Sequence, residues 1–173
     1  GAEMALKAVL TSQVSVNEGG LRESGTHREY RFMRKGTHCS VKIKRHTFKF
    51  VNGSGVGYLM KDIGTPISAD DMTKPILLML LASLNTMHAQ ELHHGDARIA
   101  NALMFRNEIR WIDYMFHGYG NRIKMAEDLG HLIASIFGAR KLQDPDIAGY
   151  LAQYSEEQNI EIVKSIVDYL FLK

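Results

Sequence analysis

Cysteine is almost absent. The single Cys39 among 173 residues rules out any disulfide framework within the chain, and a reducing, intracellular setting is the expectation. Cys39 is expected to pack as a small apolar side chain rather than to act as a nucleophile. Long apolar runs are missing too. The longest candidate, Pro75 to Leu84, has the size of a buried helix and is too short to span a bilayer, and a secretory leader is not expected. An excess of one charge is also lacking: the net charge is +2, too small to argue for nucleic acid or a membrane surface as partner. No internal repeat and no low-complexity tract is found.

What remains suits one domain or two small lobes sharing a core. Hydrophobic residues make up 45% of the chain and charged residues 23%, enough apolar material for a globular fold. The charge is unevenly placed: 11 of the 21 Lys and Arg, but only 5 of the 19 Asp and Glu, precede residue 67. A basic first part beside an acidic second part is compatible with an anion held through cations, and equally with two solvated surfaces of unlike composition.

The pattern divides the chain into 1–63, rich in strands, and 64–173, rich in helices, so the fold class is predicted to be α+β. Glu29 to Met33 is a candidate strand. Ser40 to Val51 alternates, with Val41, Ile43, Phe48 and Phe50 apolar among Lys42, Lys44 and Lys49. Asn52-Gly53-Ser54-Gly55 signals a reversal, and Gly57 to Ile63 reads as the returning strand. Val9 to Val16 is a further possibility. In the second part, Thr73 to about Glu91 is predicted helical, with Pro75 in its first turn. Ile76, Leu77, Leu80, Leu81, Leu84 and Met87 share one side. Ala102 to Phe105 and Ile109 to Ile112 form short strands around Arg106-Asn107-Glu108. Ile123 to Phe137 is helical, and Asp144-Pro145 starts another helix. Ser155 with Gln158 has the capping-box pattern for a last helix carrying Ile160, Val163, Ile166, Val167 and Leu170.

One constellation carries chemistry. The segment Leu92-His93-His94-Gly95-Asp96-Ala97-Arg98-Ile99-Ala100-Asn101 follows the long apolar helix and runs into a hairpin ending at Trp111-Ile112-Asp113. A helix end and a hairpin bracket one loop, which holds Asp96 and Asn101 near each other, and the second strand delivers Asp113 to the same place. Two carboxylates and a carboxamide then converge. These are hard oxygen donors, suited to Mg²⁺ carrying the phosphates of a nucleotide. A metallohydrolase with His88, His93, His94, Asp96 and Asp113 as ligands is the competing arrangement, although the histidine spacing fits no standard zinc motif.

The order Asp96, Asn101 five residues on, hairpin, Asp113, then a helix with Asp128 resembles the second lobe of the protein-kinase-like superfamily. The His94-Gly95-Asp96 form, with Gly95 where protein kinases usually carry Arg, resembles the aminoglycoside and choline kinase branch and other atypical kinases. The resemblance runs from about residue 57 to 138. It implies Asp96 as catalytic base, Asn101 and Asp113 as metal and nucleotide ligands, and Arg98 where many members carry a phosphate-facing Lys. It also implies Asp128 as an acceptor for the backbone of the catalytic loop, and His94 as a packing residue that supports that loop. The implied cofactors are ATP and Mg²⁺. The implied partners are a nucleotide and either a hydroxyl-bearing substrate or a protein partner.

The first lobe is reduced against that family. Val41-Lys42-Ile43-Lys44 resembles the strand that carries the phosphate-binding Lys, with Lys44 at that position. However, Lys42 points to the same face, there is no room for an orienting helix between Arg45 and Gly57, and no glycine-rich phosphate loop stands out. Asp113-Tyr114-Met115 has no glycine at its third place. Two functions follow: an atypical phosphotransferase moving the γ-phosphate of ATP to a hydroxyl, or a pseudokinase or kinase-like fragment that binds without turnover.

Overall fold

The computed structural model describes residues 63–114 and 116–172, and before them the backbone of five strands. These strands are β1 (Met4–Leu10), β2 (Ser15–Val16), β3 (Arg22–Glu23), β4 (Lys42–Phe50) and β5 (Gly53–Lys61). Within the alternating stretch 40–51, residues 42–50 form a strand. β4 pairs antiparallel with β5 from Lys42↔Lys61 to Phe50↔Gly53, so Gly53, Ser54 and Gly55, expected in the reversal, belong to β5 instead, which begins earlier than the sequence suggested. β1 lies on the other side of β5, giving the sheet order β1-β5-β4. The candidate strand Glu29 to Met33 and Cys39 lie outside the described residues.

Helices dominate after residue 73. α1 (Lys74–Ala89) starts where Thr73 Oγ1 accepts the Ile76 N–H, with Pro75 tolerated in the first turn because its missing N–H has no helical partner there. Leu77, Leu80, Leu81, Leu84 and Met87 are fully buried. Each contributes roughly 1.5–3 kcal/mol of burial to docking this helix. Around it pack α2 (Arg122–Phe137), α3 (Pro145–Glu156) and α4 (Ile160–Leu170), which bury Leu129, Leu132, Ile133, Ile147, Val163 and Ile166.

The caps follow sequence chemistry at two of these helices. Asn121 Oδ1 accepts from Lys124 N–H and Asp144 Oδ1 from Asp146 N–H. The capping box expected at Ser155 is not formed. α3 continues through Glu156, Ser155 Oγ donates to the Ala152 carbonyl, and Asn159 caps α4 by accepting from Glu161 N–H. Asn and Ser cap equally well, so the choice fell to where α3 could end against its neighbours.

Between α1 and α2 lie the elements that carry the site: β7 (Leu92–His93), β8 (Ala102–Phe105), β9 (Glu108–Trp111) and β10 (Gly118–Tyr119). β6 (Thr65–Pro66) adds to β8 in a sheet of order β6-β8-β9. The β8–β9 turn has only two central residues, Arg106 (φ 49°) and Asn107 (φ 60°). Two consecutive left-handed residues match the right-handed twist of the strands they join. Glu108 therefore belongs to β9, not to the turn. Among the described residues no helix is long and apolar enough to cross a membrane.

Candidate active site

The loop after β7 is held by one buried carboxylate. Asp128, fully buried on α2, accepts the His94 N–H at 2.7 Å and the Gly95 N–H at 2.9 Å. These are the contacts the sequence assigned to it. Its third donor is His88 Nε2, at 2.9 Å. His88 Nδ1 lies 2.6 Å from Tyr154 Oη, which also accepts from Asn85 Nδ2 at 3.1 Å. A carboxylate flanked by backbone donors can only accept, so His88 Nε2 donates to it, and a neutral His88 then accepts the Tyr154 hydroxyl proton at Nδ1. A buried polar chain thus runs from α1 and α3 through α2 to the loop. Burial alone pushes the Asp128 carboxyl up, but His88 and the two backbone N–H groups outweigh it and hold its pKa below the ordinary carboxylate value.

His88 and Tyr154 were missed as supports. The signal for His88 was present: it lies seven and eleven residues after Leu81 and Leu77, on the apolar stripe of α1. A polar residue at a core position implies a buried partner. Nothing in the sequence pairs it with Tyr154.

His94 ties the loop to the hairpin. Its Nδ1 accepts the Asp96 N–H at 3.0 Å, so its Nε2 carries the proton donated to the Ile112 carbonyl at 2.7 Å. The ring packs on Tyr114 and Trp111. On the other side of the hairpin, Ile112 N–H donates to the Asn101 carbonyl at 3.0 Å. Asp113, the residue after Ile112, therefore leaves the strand beside Asn101. Asp113 sits at φ 64°, in the left-handed region, with its side chain exposed. Asp tolerates that region better than most residues, yet it still costs about 1 kcal/mol, and such strain clusters at functional positions.

Asn101 and Asp96 are in direct contact. Asn101 Nδ2 donates to the Asp96 carbonyl at 2.8 Å and to Asp96 Oδ2 at 3.2 Å. Both amide protons are thereby used, which fixes the flip of the carboxamide and presents Oδ1 as its acceptor end. Arg98 forks onto the same carboxylate, Nε to Oδ1 at 2.9 Å and Nη2 to Oδ2 at 3.2 Å. Four of the residues singled out by sequence, Asp96, Arg98, Asn101 and Asp113, therefore belong to one loop-and-hairpin unit. Lys44 lies on β4 opposite Leu59.

The zinc arrangement is not built. His88 and His94 spend both ring nitrogens on protein partners. Among the described residues no group of three or more His, Cys, Asp and Glu is placed to hold a metal. His93 is buried beneath Gly118 with its Nδ1 unbonded, and burial lowers its pKa. Asn101 Oδ1 and the Asp113 carboxylate are instead hard oxygens, the donor type that Mg²⁺ takes.

Gly95 is required by the course of this loop. It has φ 89°, and a Cβ there would collide with the carbonyl of Phe116 in the segment after Asp113. Gly95→Ala is expected to cost at least about 2 kcal/mol, since left-handed strain adds to a clash with backbone. A denaturation midpoint equal to wild type would show that this close approach does not constrain the loop.

No family model matches the sequence, and no curated protein sequence matches it either. The fold does have a counterpart. It is similar to the crystal structure of monomeric WbdD. The match has a TM-score of 0.61 at 14% identity and covers 95% of this chain but 42% of that one. At that identity the likeness to WbdD speaks for a shared α+β fold alone, and this chain spans less than half the length of the WbdD structure.

Proposed function

We propose that the chain is an atypical, protein-kinase-like phosphotransferase that moves the terminal phosphoryl group of ATP to a hydroxyl acceptor, with 1–63 as a reduced first lobe and 64–173 as the catalytic lobe. The observation that supports this reading is the contact of Asp96 with Asn101 in one loop held by Asp128; the hairpin that follows ends two residues before a left-handed Asp113. The acceptor oxygen attacks the γ-phosphorus, the bond to the bridging oxygen breaks, and ADP leaves. Asp96 orients the hydroxyl and receives its proton. Asn101 and Asp113 would hold Mg²⁺, which offsets phosphate charge. Arg98, with Lys44 of β4, would supply cationic charge to the phosphates. Positioning and electrostatics account for most of the rate in this chemistry.

A binding module without turnover is the second reading. It is favoured by the Arg98 fork, which occupies both oxygens of Asp96. Thermal denaturation with ATP, in the presence and absence of Mg²⁺, tests both. Nucleotide at about 100 times its dissociation constant should add roughly 2.7 kcal/mol of stability, and the gain should need Mg²⁺. No stabilisation at millimolar ATP and Mg²⁺ would remove the phosphotransferase reading. Stabilisation without phosphate release or transfer would select the module.

A further inference from the structure

We propose that the chain carries a second binding site, a cleft between α2 and α3 that takes a small amphiphilic amine, its apolar body in the cleft and its ammonium head against Glu127. This site goes beyond the phosphotransferase reading and does not depend on it. Ile123, Ala126, Glu127, Gly130 and His131 recur at steps of three and four along α2, which puts them on one face. Asp128 and Leu132, turned to the loop and the core, lie on another. Leu142 of the short turn Ala139–Gln143, with Leu151 and Ser155 of α3, forms the opposite wall. The cleft holds about 450 Å³. That is more than one side chain of a partner would fill, and it falls within the roughly 300–1,000 Å³ of small-molecule sites.

Two observations say what fits. The first is Gly130. Glycine is the poorest helix former after proline, yet this one sits inside α2, without a positive φ to require it. A Cβ there would meet only the side chains of Leu151 and Leu142, at 3.6 and 3.7 Å, which is ordinary contact. Packing does not demand glycine either; its missing side chain keeps the floor of the cleft open. The second observation is the polar lining. Glu127 brings the only carboxylate, and among the described residues no Lys or Arg lines the cleft. Glu127 Oε2 meets Lys124 Nζ at 3.1 Å, but with side chains 43% and 53% exposed the pair is weak, and a cation in the cleft competes with it. Ser155 Oγ donates to the Ala152 carbonyl at 2.7 Å, so it offers the cleft lone pairs. The imidazole of His131 can take either role. A carboxylate and a hydroxyl acceptor beside apolar walls complement a head that donates hydrogen bonds and carries positive charge. Ile123 lines the cleft although it is 68% exposed, and is the apolar surface that the body of such a ligand would cover.

Three probes with one apolar body test the site: naphthylmethylammonium, the neutral naphthylmethanol and the anionic naphthylacetate. Their binding to the full chain should be measured by calorimetry, without nucleotide. The ammonium is expected to bind saturably with a Kd below about 1 mM, the alcohol roughly three- to tenfold more weakly, and the carboxylate more weakly still. Glu127→Gln should bring the ammonium down to the level of the alcohol and leave the alcohol unchanged. Gly130→Leu, which grows a side chain from the floor of the cleft, should weaken all three by at least about tenfold. Gly130→Ala should raise the denaturation midpoint by roughly 2–4 °C, because the fold does not need glycine there. If the Leu variant does not fold, the Gln and Ala variants decide alone. No saturable binding of the ammonium would leave the cleft without its ligand and overturn the proposal. So would naphthylacetate binding as tightly as the ammonium, a preference for the ammonium that survives Glu127→Gln, or undiminished binding by a folded Gly130→Leu protein. A lower midpoint for Gly130→Ala would show that glycine serves packing, and would count equally against it. With no nucleotide present, none of these results bears on the phosphotransferase reading.

Discussion

Asp128→Ala is expected to lower stability by roughly 3 kcal/mol, because it strands three buried donors: the His94 and Gly95 N–H groups and His88 Nε2–H. For a chain of this size that corresponds to a fall in Tm on the order of 6–12 °C. Asp128→Asn is expected to cost nearly as much despite its matching shape, since its NH₂ must face at least one of these donors. The two variants separate charge and acceptor capacity from volume. If Asn restored wild-type stability, the three-donor account of Asp128 would be wrong. The same group shapes the acid limb. Its folded pKa is lowered, so its contribution is fully present above the unfolded carboxyl value of about 3.9 and fades as pH falls through the lower folded value. Wild type should therefore lose stability steeply below about pH 4, and Asp128→Asn, with no carboxyl to protonate there, should show a shallower loss over the same range. Parallel acid limbs would contradict this.

Asp113→Asn and Asp96→Asn are expected to fail in different ways. The amide at 113 keeps the shape but loses the anion that would hold Mg²⁺, so metal-dependent nucleotide affinity should drop by at least about 10–100-fold, the loss typical even of a residue supporting a metal ligand. The fold should survive, because Asp113 is exposed. Asp113→Gly sharpens the point: it relieves the left-handed φ of 64° and should raise stability by up to about 1 kcal/mol while losing the same affinity. Asp96→Asn should leave binding in place and slow transfer roughly 10²–10⁴-fold, the usual worth of a general base. Phosphate transfer by Asp96→Asn at the wild-type rate would remove Asp96 from its proposed role. Undiminished Mg²⁺-dependent ATP binding by Asp113→Asn would do the same for Asp113.

Much of this site was legible because its members are close in sequence. Asp96, Arg98 and Asn101 share one loop, and a short hairpin fixes how far along the chain Asp113 can be. Local geometry then decides the result, and the order of residues reveals it. Asp128 was within reach as well, through the resemblance of its helix to a known lobe. The helix starts at Thr73 and Asp144 follow from cap chemistry alone. The start of the last helix does not: Ser155 and Asn159 satisfy the same local rule, and packing of α3 against its neighbours chose between them.

By itself, the sequence determined the α+β division, the alternation that becomes β4, the stripe that docks α1, and the loop that joins Asp96 to Asn101. Each is set by periodicity or by contacts a few residues long. Only the tertiary structure decided that His88 supports Asp128 rather than binding metal, because its partners lie 40 and 66 residues away, on other helices. It alone also placed the Phe116 carbonyl against Gly95, and left Asp113 in a left-handed conformation next to Ile112, the backbone partner of Asn101. The physical reason is common to all three. A buried donor or a close backbone approach is satisfied by whatever the fold brings alongside, and that choice is made between segments distant in the chain.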